Sequence, residues 1–114
     1  MLIMSAIDSQ TKVALRAFLA RLPADIAVER ALLYGSRARG DYKPESDADL
    51  ALVLKEQADD WQVLWDLSGL AYDIYLETGI MIQPVPISSG DWANPNRFAR
   101  PSLLRNITRE GILL

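Results

Sequence analysis

Two short apolar runs, Ala31-Leu-Leu-Tyr34 and Leu50-Ala-Leu-Val-Leu54, have the length and composition of buried strands, and the stretch joining them opens on Gly35-Ser36 and closes on Ser46-Asp-Ala-Asp49. That junction ties the chain's fold to its chemistry. Gly35 lets the backbone turn abruptly into a short helical segment and leaves room for an anion to approach it. Ser36 adds a hydroxyl and a backbone N–H near a helix N-terminus, where unpaired donors and the dipole favour negative charge. On the far side, the two-residue period of a strand entered at Asp47 sets Asp47 and Asp49 on one face, α-carbons roughly 6.5–7 Å apart, with Ala48, Leu50, Leu52 and Leu54 on the other. Two short carboxylates so spaced can converge on one divalent ion or share a pair roughly 3.5–4 Å apart. Hard oxygen ligands favour Mg²⁺ or Mn²⁺. Without a cation between them the two acids repel, and each raises the other's pKa.

Each feature alone has an ordinary explanation. Gly-Ser is a common turn, Ser46-Asp47 can simply begin a strand, and an acid pair can face water. Together, with Arg37-Ala-Arg39-Gly40 between them and a strand on each side, they read as a phosphate cradle facing a metal site. The chain has neither a Gly-x-x-x-x-Gly-Lys loop nor a Gly-x-Gly-x-x-Gly fingerprint, which argues against the two commonest nucleotide-binding folds.

The 114 residues include no cysteine and no histidine, which excludes thiol nucleophiles, disulfides, zinc sites of the usual kind and histidine acid–base chemistry. Any catalysis must rest on carboxylates and a metal. Half the residues are hydrophobic and about a quarter charged, as in one globular domain spanning 1–114. A net charge of −3 and a pI near 4.8 disfavour a grip on long nucleic acid. The apolar Met1-Leu-Ile-Met-Ser-Ala-Ile-Asp8 is too short and lacks the positive charge of a signal peptide, and no segment reaches membrane-spanning length, so the default location is the cytoplasm.

Asp8 or Ser9 is placed to cap a first helix whose Leu15, Phe18, Leu19 and Leu22 share a face, ended by Pro23. Strands are expected over Arg30–Tyr34 and Asp49–Leu54, followed by an amphipathic helix over Asp59–Thr78. That helix buries Val63, Leu67, Leu70, Ala71 and Ile74, shows Asp66, Asp73 and Glu77 to water, and stops at Gly79. A third strand over Ile80–Ile87 carries Pro84 and Pro86, which deny ladder donors and point to an edge or a short pairing segment. A loop follows, then a helix over Pro101–Glu110 closed by Gly111. Arg97, Arg100, Arg105 and Arg109 read as surface or partner contacts. The fold class is α/β (α+β): a small mixed sheet flanked by helices.

Gly35-Ser-Arg-Ala-Arg-Gly40 and Ser46-Asp-Ala-Asp-Leu50 resemble the signature of the polymerase-beta-like nucleotidyltransferase superfamily, specifically its smallest members, the minimal nucleotidyltransferases of bacteria and archaea. The resemblance spans the central strand–turn–strand, and the sheet would be the superfamily's palm. It implies that Gly35 and Ser36 hold the triphosphate of a nucleotide, that Asp47 and Asp49 bind catalytic Mg²⁺ or Mn²⁺, and that Arg37 or Arg39 balances phosphate charge. It implies transfer of a nucleoside monophosphate, AMP from ATP, to a protein or small acceptor. It further implies a small all-helical HEPN-type partner in a toxin–antitoxin pair, with this chain as antitoxin, and leaves self-association open. Active members carry a third carboxylate on the strand after the long helix, which here falls at Gln83; Asp41, Glu45 and Asp73 are less well placed to substitute. An amide cannot act as a general base, so the alternative is a weak or inactive nucleotide-binding module that neutralises its partner by contact.

Overall fold

A computed structural model describes residues 7–55 and 60–114. The N-terminal apolar stretch before Ile7 and the expected helix start at Asp59 lie outside these residues. Helix α1 spans Ser9–Ala20 and is capped by Asp8, whose side chain accepts from the Thr11 N–H. Strand β1 runs Val28–Tyr34, the one-turn α2 covers Ser36–Arg39, and β2 runs Ala48–Leu54. Helix α3 spans Trp61–Thr78 with Asp60 as N-cap and Gly79, at φ +79°, as left-handed C-cap. Then come β3 (Ile82–Ser88), α4 (Ser89–Ala93), a 3₁₀ turn at Pro95–Arg97, α5 (Pro101–Glu110) and a two-residue β4 (Ile112–Leu113).

The strands lie in the order β3-β2-β1-β4. β1 pairs antiparallel with β2 and β4, whereas β2 and β3 are parallel. Parallel neighbours need a crossover, and α3 is the element that connects them. β3 is an edge, as its two prolines require, because they give no N–H to a ladder.

Both faces of the sheet are covered. On one, Leu33, Leu50, Leu52 and Ile82 pack against Leu15 and Phe18 of α1 and Leu67, Ala71 and Ile74 of α3. On the other, Leu32, Ala51, Val53 and Ile87 pack under Leu104 and Ile107 of α5. Each fully buried leucine or isoleucine here stabilises the fold by roughly 1.5–3 kcal/mol.

Five features differ from the expectations set by the sequence. β1 reaches back to Val28, beyond the expected Arg30, and β3 starts only at Ile82 and runs to Ser88. The loop after β3 contains α4, capped by the Ser88 hydroxyl on the Asp91 N–H. β4 was not foreseen, because two residues show no periodicity. The β2 face bearing Asp49, expected to serve only the acids, is also core beyond it: Ala51 and Val53 are wholly buried beneath α5.

Candidate active site

Gly35 is the N-cap of α2 at φ +76°, ψ −158°, a region open essentially to glycine alone. A Cβ there would stand 2.2 Å from Oδ2 of Asp49 and 3.2 Å from its Cγ. The backbone of the expected cradle is thus in direct contact with a carboxylate of the expected metal site. Asp49 is opposite Tyr34 of β1 and opposite Gln83 of β3, so the three residues form a row across the sheet on the face that α5 covers. Asp47, exposed and one residue ahead of β2, accepts a 3.2 Å hydrogen bond from Nε2 of Gln83. The structure therefore brings Asp47, Asp49, Gly35 and Gln83 together, with Ser36 following Gly35 at the first position of α2.

Burial, and then the neighbouring charge of Asp47, push the Asp49 carboxyl above its ordinary pKa; Arg39 opposes the shift and Glu110 adds to it. Tyr34, also buried and facing Asp49, is pushed up to about 12, with Arg100 acting the other way. These are the signs of an acidic site short of positive charge.

Two residues have positions that the sequence did not suggest. Glu110, the last residue of α5, reaches the cradle: its Oε2 accepts from the Gly35 N–H at 3.1 Å and pairs with Nη1 of Arg39 at 3.0 Å. An acid in the last turn of a helix opposes the dipole. That misplaced charge is the one local hint of a tertiary role. Tyr34 closes the row beside Asp49, and nothing in the strand pattern distinguishes it from core.

The two arginines divide. Arg39 is half-exposed and bonded to Asp41 and Glu110 at the site. Arg37 is not brought to the cradle. It is buried, with Nε donating to the Ser46 carbonyl, Nη1 to the Thr11 hydroxyl and Nη2 to the Pro44 carbonyl, and it stacks over Tyr42. This fastens the loop ahead of Asp47 to α1, and so holds the acid pair indirectly.

The donor set suits Mg²⁺ or Mn²⁺ bound together with a phosphate. Among the described residues no three acids, histidines or cysteines are grouped to hold a metal unaided. Mg²⁺ is commonly held by one or two carboxylates plus substrate phosphates, and Asp47 with Asp49 supplies that much. A cation would also relieve the repulsion from Asp47 that adds to the effect of burial on Asp49. No described helix is long and apolar enough to cross a membrane.

Residues 19–114 match the family model described as "Polymerase beta, Nucleotidyltransferase". Among solved structures, a toxin-antitoxin with AMP-PNP aligns at TM-score 0.61 and 16% identity, covering 93% of this chain and 72% of that one. A mutant of the toxin-antitoxin MntA-HpeT aligns at 0.60 and 19% identity, covering 94% and 72%. At these identities the likeness is one of fold, and it extends to the mixed sheet and its flanking helices. Comparison with curated proteins gives no match.

Proposed function

The chain belongs to the polymerase beta nucleotidyltransferase family, and we propose that it is a Mg²⁺- or Mn²⁺-dependent member that transfers AMP from ATP to a protein acceptor. In this reading residues 1–114 act as one cytoplasmic domain, the antitoxin half of a pair whose other half is a small, all-helical HEPN-type protein. The observation that carries it is that the Gly35 N–H already holds an anionic oxygen, that of Glu110, while Gly35 itself lies against the Asp49 carboxylate. A backbone donor that already binds a carboxylate beside a paired-acid site is suited to a phosphate oxygen. The toxin-antitoxin with AMP-PNP, alike in fold, supports both the nucleotide and the kind of partner.

Gly35 and Ser36 would take phosphate oxygens, and Arg39, released from Glu110, would balance their charge. Asp47 and Asp49 would hold the metal, which supplies neutralisation of the triphosphate and polarisation of the reacting phosphorus. Gln83 holds Asp47 in place but cannot accept the acceptor's proton. Lacking a positioned base typically lowers a rate by about 10²–10⁴, so transfer is slow. The same residue favours the second reading, a nucleotide-binding module that caps its partner without modifying it.

Co-expression with the product of the neighbouring reading frame, followed by incubation with ATP and Mg²⁺ and mass spectrometry, separates the two. An AMP adduct on a partner hydroxyl, lost in the Ser36→Ala, Asp49→Asn double variant, supports transfer. A stable complex without adduct supports the module, and finding neither an adduct nor a complex overturns the antitoxin assignment.

A further inference from the structure

Helix α3 has three faces. One is buried in the core through Leu67, Ala71 and Ile74. A second carries the row Asp66, Asp73 and Glu77. The third, which shares no residue with either, presents Trp61 and Trp65, each 71% exposed, with Leu76, Tyr72, Leu64 and Tyr75 between 65% and 42% exposed. Spacings of four, seven and four residues from Trp61 through Trp65 and Tyr72 to Leu76 align these side chains in one stripe over the full helix. With aromatic side chains of about 150–250 Å² each, the exposed part sums to on the order of 600 Å², at the upper end of what monomers leave open and near one partner's share of a standard interface. Exposed tryptophans and tyrosines on a rigid helix are the residues that dominate interface energies.

Charge identifies what covers the stripe. Helix α3 contains no lysine or arginine. Glu77 is held by Arg21, but among the described residues neither Asp66 nor Asp73 has an ion-pair partner. A second copy docking antiparallel through the same stripe would set its acidic row against this one, and like charges across an interface are unfavourable. Beside the helix, Leu64 continues the stripe into an open groove along β3, where Pro84 and Pro86 give no N–H to an added strand. Side-chain docking of a helix is therefore the mode left. We propose that this face of α3 binds an amphipathic helix of a partner protein whose apolar side is flanked by lysine or arginine. The face belongs to the helix that packs on the sheet side opposite Asp49, so the proposal does not depend on transfer chemistry.

The test uses two synthetic helical peptides of on the order of 20 residues, sharing one leucine face and differing only in lysine or glutamate flanks. Anisotropy titration of the full chain should show the lysine peptide binding at least about tenfold tighter, with affinity falling as salt rises. Asp66→Lys with Asp73→Lys should reverse the preference. Trp65→Ser with Tyr72→Ser should abolish binding of both peptides while leaving the urea midpoint and the Mn²⁺ response of the acid pair unchanged; if that variant does not fold, the charge reversal decides alone. Equal affinity for both peptides, no binding of either, or a wild-type dimer in sedimentation that the Trp65→Ser, Tyr72→Ser variant dissolves would each overturn the proposal.

Discussion

Replacing Gly35 by alanine adds one methyl group where the cradle touches Asp49. Two costs arise, and they can be separated. The first is backbone: at φ +76°, ψ −158° a non-glycine residue loses on the order of 1–3 kcal/mol. The second is contact, since the new carbon lies 2.2 Å from Oδ2, 3.2 Å from Cγ and 3.4 Å from Cβ of Asp49. The carboxylate end can rotate aside, but Cγ and Cβ sit at the limit of ordinary contact, so the relief displaces the acid and leaves roughly 1 kcal/mol of strain. The combined loss is about 2–4 kcal/mol, within the 5–15 kcal/mol margin of a typical domain, and lowers Tm by roughly 10 °C. The variant should fold and yet bind nucleoside triphosphate at least about tenfold more weakly, because both cradle and acid have moved. Urea unfolding and calorimetric titration measure the two effects. In an Asp49→Ala background the contact cost vanishes and only the backbone cost remains, so Gly35→Ala should be less damaging there by about 1 kcal/mol. Equal stability losses in both backgrounds would show that the contact carries no energy. Wild-type nucleotide affinity in Gly35→Ala would refute the cradle.

Glu110→Ala removes the carboxylate that occupies the Gly35 N–H; we expect about 1 kcal/mol less stability without ligand and several-fold tighter triphosphate binding by calorimetry, whereas weaker binding would make Glu110 part of the nucleotide site. Burial, followed by the charge of Asp47, raises the folded pKa of Asp49, so the stability this group contributes is present below its ordinary value of 3.8 and is lost as pH rises through the folded value. Asp49→Asn should therefore gain stability relative to wild type as pH rises above 3.8 in thermal melts and lose the rise in Tm given by Mn²⁺; parallel curves for the two proteins would refute the shift. Arg37→Met leaves two carbonyls and the Thr11 hydroxyl without their donor and should cost about 3 kcal/mol. Loss of nucleotide binding at unchanged stability would return Arg37 to a phosphate role.

Features set within a few residues were legible in the sequence. Asp8 capping α1, Pro101 and Gly111 bounding α5, the prolines that send β3 to the edge and the turn at Gly35 all follow from local φ preferences, capping and periodicity. Strand pairing then carried Gln83 to the acid pair, because the two-residue period and a parallel partner for β2 leave little freedom of register. The side chains whose roles depend on distant partners were not legible. Arg37 and Arg39 are alike in sequence, and only the closing of the loop from Gly40 to Ser46 over α1 buries one and leaves the other at the site. Glu110 meets Gly35 across 75 positions of chain, and no periodicity reports such a contact. Helix α3 is apolar on two of its faces; periodicity picked out the one through Leu67, Ala71 and Ile74 that the sheet covers, but not the exposed aromatic stripe from Trp61 to Leu76. The sequence by itself determined the main helices and strands and the pair of acids. Which charges meet, and that the stripe from Trp61 to Leu76 stays in water, was decided by the tertiary structure, because those outcomes depend on packing between segments that carry no information about one another until they touch.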